Sequence, residues 1–478
     1  MLLLRIPPRP TVLADSFVLA EVDGVAEAPT IAELQTRTPA MRTATITASS
    51  ASSATAAAAA PAVAQAHAKR ALLARHHIVA PSLKVADVAA AAVFGAARQR
   101  GPIARDAIAR VTGLSIATVN RQVTALLDAG VLRERADLAV SGAIGRPRVP
   151  VEVNHEPFLT LGLHIGARTT SIVATDLFGR TLDVVETPTP RGTQNAALAS
   201  LAGSARRYLS RWHRRRPLWV GVAAGGVVDS VSGYLDHPRL GWSEAPVGPV
   251  LAETLGLPVS VASHVDAMAG AELLLGVRRP GTQTGTSLYV YARETVGYAL
   301  SIGGRVHSPA SGPGTIAALP VSSELLGGSG QLESTVSDEA VLTAARAQRI
   351  VPAEGPASTL TAVLRAARAG HDGARALLNE RARVLGEAVA LLRDMLNPDD
   401  LVVGGQAFTE YPEGMEVLER AFVSRSVLPA RDIRVTAFGN RVQEAGAGVV
   451  SLGGLYADPI AAMRRAALRR GELVTPGV

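Results

Sequence analysis

The sequence predicts an α/β protein built as a winged helix-turn-helix followed by two α/β lobes that flank a cleft. Three observations carry this. Between Gly101 and Asn154, two short helical patterns meet at a glycine turn and are followed by a strand and a Gly-Arg-Pro-Arg loop. From Glu156 onward, hairpin strands, crossover helices and glycines at strand ends recur in two similar rounds, the pattern of layered lobes with a ligand cleft between them. The length of 478 residues suits roughly two to four domains with sizeable cores.

Residues 1–80 stand apart. Met41 to Ala64 is almost wholly Ala, Thr and Ser. It has too few large apolar side chains to bury a core, so a disordered extension is expected, although alanine runs have some helix propensity. Met41 is a candidate for the true start. The basic run from His67 to His77 is expected to be a solvated tail leading into the folded part, with contact to DNA phosphates the alternative. The chain contains no cysteine, which excludes disulfides and thiolate metal sites. No apolar run reaches the ~20 residues of a membrane span, and the opening MLLLRIPPRP is too short for a signal peptide. A cytoplasmic protein is expected. The net charge of +7 favours an anionic partner without naming one.

The DNA-binding part is assigned to residues 83–153. A first helix, Leu83 to Arg100, is expected to pack Val88, Ala92 and Phe94 under the next two. The second runs about Ala104 to Val111 and turns at Thr112-Gly113-Leu114, the glycine turn of a helix-turn-helix. Ser115 is a good N-cap for the third. Ile116, Val119, Val123, Leu126 and Leu127 share one face of it at helical spacing. The opposite face carries Ala117, Thr118 and Arg121, flanked by Asn120 and Gln122. With Ser115 these are the candidate DNA-reading residues: a small, polar face with one long bidentate donor suits a helix in the major groove. Asp128-Ala129-Gly130 ends that helix, and Val131 to Arg135 reads as a strand. Gly145-Arg146-Pro147-Arg148 is the expected wing tip, with Arg146 and Arg148 on phosphates or in a minor groove. From Arg98 to Arg148, nine arginines face Asp106, Asp128, Glu134 and Asp137, a local excess that suits duplex DNA.

The lobes are assigned to residues 156–457, with a tail at 458–478. Phe158 to Pro190 reads as three strands turning at Gly166-Ala167-Arg168 and at Leu177 to Arg180. A helix is expected over Gln194 to Trp212, then a buried strand ending at Gly225-Gly226, then Leu257 to Gly276 as a strand running into a helix. Ser287 to His307 reads as a hairpin pair. Ser337–Arg349, Thr359–Ala369 and Asp372–Leu396 read as helices, Asp400 to Phe408 as a strand stopping on Gly404-Gly405, and Glu444 to Asp458 as a last helix. Gly225-Gly226, Gly303-Gly304, Gly312-Pro313-Gly314 and Gly404-Gly405 are taken as the cleft framework, because glycine lets backbone approach a ligand closely.

Several anchors in order resemble the ROK family of repressors, open reading frames and kinases, particularly its actinobacterial winged-helix, sugar-responsive repressors. They are GLSIATVNRQVTALLDAGVLRE, GRP, LGLHIGARTTSIVATDLFGR, WVGVAAGGVVD, HPRLGW, VSVASHVDAMAGAELLLG, SPASGPGTIAALPV, GGSGQLES and DLVVGGQAF. The resemblance spans Val93 to Tyr456 and implies an actin-like, ribonuclease-H-like duplicated fold.

The departures from the family pattern decide the expected function. Where family kinases carry an acidic residue on the first strand, this chain has His164, a poor ligand for hard Mg²⁺. Where they carry Asn-Asp, it has Ser263 and His264; a shift of register would make Asp266 the counterpart. Loss at both sites argues against phosphoryl transfer. The family's structural zinc ligands fall on Ala318, Glu324, Leu326 and Gln331, so no zinc site is expected. Its sugar ligands fall on Arg239, Ser263, His264, Thr315, Ala318 and Glu333, of which only Glu333 keeps its chemistry. With His237, the residues Arg239, Ser263, His264, Thr315 and Glu333 are the candidate effector site, and His164, His237, Arg239 and His264 are expected to make it cationic. The expectation is a transcriptional regulator, with repression the family's leaning, whose kinase-like domain is inactive and needs no cofactor. Its expected partners are an operator in double-stranded DNA, a second copy (a homodimer or larger homo-oligomer), and an effector such as a sugar, sugar phosphate or other acid. The alternatives are a sugar or amino-sugar kinase with an appended DNA-binding domain, and a DNA-bound scaffold without effector.

Overall fold

The computed structural model describes residues 77–139, 149–276, 285–309, 312–429 and 431–467. The extension up to residue 76, and Arg146 and Arg148 at the expected wing tip, lie outside the described residues.

Three helices open the described chain: α1 (Ala89–Arg100), α2 (Arg105–Thr112) and α3 (Ile116–Asp128), followed by the strands β1 (Leu132–Glu134) and β2 (Val151–Val153), which pair antiparallel. Gly113 between α2 and α3 has φ 71°, a left-handed conformation that glycine takes without Cβ strain. Ser115 caps α3 by accepting from the Thr118 N–H at 3.2 Å. Val119, Val123 and Leu126 are fully buried. Ile116, expected on that face, directly follows the tight turn and is half exposed. The first helix starts at Ala89 and not at Leu83, because the backbone of Leu83 and Val85 is spent on hydrogen bonds to Val306 and Gly304. Its buried face is Val93, Phe94 and Ala97, while Val88 is exposed and Ala92 only half-buried. Residues 77–80, expected in the extension, are placed: Ile78 bridges Val259.

Lobe 1 is a five-stranded mixed sheet in the order β10-β6-β3-β4-β5. Its strands are β3 (Phe158–Ile165), β4 (Thr169–Thr175), β5 (Thr181–Pro188), β6 (Arg216–Ala224) and β10 (Val259–Ser263). β3 is buried along its whole length, as a strand covered on both faces must be. One face meets α4 (Gln194–Ser210) and α5 (Val247–Leu255); the other meets α13 (Val442–Ala457). Between β6 and α5 a small sheet, β7 (Val227–Asp229), β8 (Tyr234–His237) and β9 (Trp242–Ala245), rims the cleft. α6 (His264–Leu275) follows β10 directly.

Lobe 2 is a six-stranded sheet in the order β13-β12-β11-β15-β16, with β14 paired to β12. Its strands are β11 (Thr286–Ala292), β12 (Val296–Ile302), β13 (Arg305–His307), β14 (Gly314–Thr315), β15 (Asp400–Gly404) and β16 (Arg434–Val435). Its helices are α7 (Leu332–Val336), α8 (Asp338–Ala347), α9 (Leu360–Arg368), α10 (Asp372–Leu396), α11 (Gln406–Thr409) and α12 (Met415–Arg425).

α13 sits unusually close to lobe 1. Gly162 on β3 and its register partner Gly221 on β6 leave the space that the helix backbone fills. The tail expected after residue 457 begins instead with α14 (Pro459–Ala467), which buries Ala462, Met463 and Ala466 against the N-terminal helices. The apolar repeat along α14 gives it a face to bury, and α1 supplies the partner surface. Phe94 meets Tyr456 at a 6.3 Å ring separation, and the Arg98 guanidinium lies 4.2 Å from the same ring centre. One apolar core therefore runs from Ile108, Val119 and Val123 through Phe94 and Met463 to Trp219 and Leu452 of lobe 1. The N-terminal helices are fused to lobe 1 and do not hang from a linker. Among the described residues, no helix is long and apolar enough to cross a membrane.

Candidate functional site

A cavity of about 780 Å³ lies between the lobes. Lobe 1 contributes His164 from the end of β3, the Gly166 to Thr169 turn, Gly225, Gly226, His237, Arg239 and His264. Lobe 2 contributes Tyr291, Arg293, Glu294, Gly314, Thr315, Glu333 and Asp338. Strand ends and tight turns converge here, so the polar groups that terminate each strand face a common space. Of the six candidate effector residues, His237, Arg239, His264, Thr315 and Glu333 line the cavity. Ser263 does not. It is buried behind His264, and its Oγ has no hydrogen-bond partner.

His164 and His264 form the floor. Their rings stack in parallel with centroids 6.1 Å apart, and His264 meets Tyr291 at 5.2 Å. Gly225 admits the third imidazole: a Cβ there would lie 3.3 Å from His237 Nε2 and 3.7 Å from His264 Cε1. Burial drives all three imidazoles toward the neutral form. His164 is pushed down to about 3 by burial and then by the neighbouring His264, and His264 to about 4 by burial and then by His237. His237 is lowered by burial as well. His164 Nε2 and His237 Nδ1 are buried without a partner.

The expected cationic pocket is therefore not what the structure contains. The imidazoles are neutral near physiological pH, because burial penalises their charged forms and they repel one another. Arg239 is neutralised by Glu333 at 2.6 Å, and Arg168 by Glu294 at 3.1 Å and Glu339 at 2.8 Å. These pairs run from lobe 1 to lobe 2 across the cleft. Glu333, expected to keep its sugar-binding chemistry, spends its other oxygen on the Val296 N–H at 3.1 Å. Asp338 is held by Arg381 at 2.7 Å. Asp266, the alternative counterpart of a kinase aspartate, does not line the cavity. Burial raises it to about 6, and its side chain meets Ser308.

The glycine framework is only partly cleft. Gly225, Gly226 and Gly314 line the cavity, whereas Gly303-Gly304 turns β12 into β13 at the sheet edge and Gly404-Gly405 packs on Tyr289 and Tyr291. The segment at the family's zinc position is held by other means. Ser329 and Ser334 hydroxyls meet at 2.9 Å, Thr335 Oγ1 donates to the Gln331 carbonyl at 2.9 Å, and the Val321 N–H donates to the Gly330 carbonyl at 2.9 Å. Leu326, at one expected ligand position, is buried in an apolar cluster with Val341 and Leu377. Among the described residues, no group of three His, Asp or Glu side chains is placed to hold a metal ion. The residues present do not fit zinc.

On the N-terminal helices, Ser115, Ala117, Asn120 and Arg121 are exposed, and Thr118 and Gln122 are half-buried. Sequence reasoning missed Arg168, Arg293 and Tyr291 as cleft residues. Only the turn position of Arg168 hinted at such a role.

The model of the ROK family matches residues 160–450. The chain belongs to the ROK family. A relative named transcriptional regulator Rv0485, from Mycobacterium tuberculosis H37Rv, is 73% identical over 404 residues, covering 83% of this chain and 92% of that protein. The DNA-binding transcriptional dual regulator NagC of Escherichia coli K12 is 24% identical over 336 residues, covering 67% of this chain and 81% of NagC. Among solved ROK structures, a transcriptional regulator described as a homologue of E. coli Mlc superposes with a TM-score of 0.65 at 22% identity, covering 79% of this chain and 98% of that one. A glucokinase from Streptomyces griseus, in complex with glucose and AMPPNP, gives 0.53 at 22% identity, covering 61% of this chain and 99% of that one. These two likenesses establish the fold, the two-lobed actin-like architecture that the ROK resemblance implied.

Proposed function

We propose that this protein is a DNA-binding transcriptional regulator, a repressor by type, whose kinase-like domain is a catalytically inactive sensor. The observation that carries the second half is the cleft floor: two stacked, neutral imidazoles, His164 and His264, stand where phosphoryl transfer needs carboxylates. Of the four carboxylates that line the cavity, Glu294, Glu333 and Asp338 are each tied to an arginine, and burial raises the fourth, Glu410, toward its neutral form. The first half rests on the cap, turn and exposed polar face of α3 and on the regulator names of its relatives. In this reading α1 to α3 with β1 and β2 are a winged helix-turn-helix. Ser115, Ala117, Thr118, Asn120, Arg121 and Gln122 face the major groove, and Arg146 and Arg148 hold the wing to the duplex. A homodimer would present two such helices to half-sites.

The effector best suited to the floor is uncharged and rich in hydroxyls. Neutral imidazole nitrogens such as His164 Nε2 accept hydrogen bonds from hydroxyls, whereas Arg168 and Arg239 are paired with carboxylates and Arg293 lies 3.7 Å from Asp338.

The test is selection of bound sequences from a random duplex pool by the wild-type and Arg121→Ala proteins. Arg121→Ala is expected to cost ~1–3 kcal/mol on the selected site and to relax its sequence preference. Full affinity and unchanged preference would overturn the assignment of α3. Turnover of ATP with a hexose, abolished by His264→Ala, would overturn the inactive sensor.

A further inference from the structure

Before reaching α1, residues 78–88 join the free edge of both sheets. On lobe 1, Ile78 bridges Val259 in parallel, and the Val79 N–H donates to the Val259 carbonyl at 2.9 Å. Ile78 also packs over Gly233 and Gly248. Val259 belongs to β10, the outermost strand of that sheet. On lobe 2, Lys84 bridges Arg305 antiparallel, the Val306 N–H donates to the Leu83 carbonyl at 2.9 Å, and the Val85 N–H donates to the Gly304 carbonyl at 2.8 Å. Here the partner is β13, again the outermost strand. Between the two attachments Leu83 is buried over Gly270 of α6, and the Ser82 carbonyl lies against Gly453 of α13.

The segment is short. From Val79 to Leu83 the chain can span ~14 Å at most, even when fully extended. From Val85 the chain reaches α1 at Ala89 over the same short count, and α1 is fixed to lobe 1 through the shared apolar core. A separation of the two sheet edges beyond that reach would strip the segment from β13 or move α1.

We propose that residues 78–88 are a strap that relays the separation of the two lobes to the DNA-binding helices, an inference that rests on reading the chain as a regulator. The attachment to β13 is made by the Leu83 carbonyl and the Val85 N–H, with Leu83 sharing an apolar cluster with Val306; beyond Leu83 the Val85 hydrogen bond at the sheet edge is the yielding part, whereas Ile78 is anchored by side-chain packing on lobe 1.

The chain's lack of cysteine permits a direct test. Arg168 and Glu294 face one another across the cleft mouth, so Arg168→Cys with Glu294→Cys can be joined by a short bismaleimide, which fixes the lobes. Affinity for a mixed-sequence duplex is then measured before and after joining. The measurement is made in this chain and in one loosened by a Gly-Ser-Gly-Ser insertion between Asp87 and Val88. Joining should shift affinity by about fivefold or more in the first chain and by under about twofold in the loosened one. An equal shift in both, or none in either, overturns the strap. Hydrogen exchange at the Val85 and Val306 amides supplies a readout that needs no DNA. Joining should slow it, and unchanged exchange overturns the strap even where DNA binding is normal. Should no chain bind duplex while exchange responds, the regulator reading fails and the relay with it.

Discussion

Gly221→Ala is the substitution whose consequence is best fixed by the structure. Gly221 lies on β6 beside Gly162 on β3, under α13. A Cβ there would sit 2.2 Å from the Ser451 nitrogen, 2.7 Å from the Val450 carbonyl carbon and 2.8 Å from the Ala447 oxygen. All three obstacles are backbone, so no side chain can rotate aside, and the helix would have to retreat by about 1 Å to restore ordinary contact. α13 cannot retreat freely. It is wedged between lobe 1 and α6, and it continues into α14, which holds α1. Overpacking of a core costs ~1–3 kcal/mol where it can relax, so a backbone clash of this kind should cost about 3 kcal/mol or more, a large share of a typical domain's stability. Urea unfolding followed by tryptophan fluorescence measures it, because Trp219 is buried against Gly454 of α13 and hydrogen-bonded to Ser260 at 3.0 Å. Gly95→Ala is the control. Gly95 lies within α1 with nothing near its missing Cβ, so the same change there should stabilise by ~0.5–1 kcal/mol. A Gly221→Ala midpoint equal to wild type would refute the packing of α13 on lobe 1 and the docking of the N-terminal helices that depends on it.

Arg381 is almost fully buried and holds Asp338 at 2.7 Å; Arg381→Met should cost ~3–5 kcal/mol by leaving that buried carboxylate only the 3.7 Å contact with Arg293, and Asp338→Asn in the same chain should return part of that loss in a thermal melt. The pH dependence of stability has a definite sign at the cleft floor. Burial holds His264 at about 4, so below roughly pH 6.5 the unfolded chain takes up a proton that the folded chain refuses, and stability falls as the pH drops toward the folded value. His264→Asn should therefore show a flatter decline than wild type between those limits; parallel curves would mean that the imidazole is not kept neutral by burial. Ser115→Ala removes the α3 cap and should cost ~1 kcal/mol, with faster hydrogen exchange confined to the first turn of α3.

Much of the fold was legible because its signals are local. Ser115 and Gly113 announce a helix start and a tight turn through their own backbone chemistry, and both are found so. Asp372–Leu396 shows as a helix from apolar spacing alone, because period and burial agree along a long amphipathic element. The resemblance carried the architecture of the lobes. Composition excluded thiolate zinc binding, and the absence of a carboxylate at His164 and of the Asn-Asp pair at Ser263 and His264 was plain in the residues themselves.

The tertiary structure decided what depends on partners distant in sequence. A histidine has no charge state until its burial is known, and the cleft reversed the expected cationic site by burying His164 and His264 together. Arg239 and Glu333, far apart in the chain, neutralise one another only because the lobes meet. Leu83 to Val88 has the composition of a helix start, yet an open sheet edge at β13 outbids local propensity for its backbone hydrogen bonds. The segment after residue 457 gains its helix in the same way, from a surface on α1 and Tyr456 that no local pattern announces.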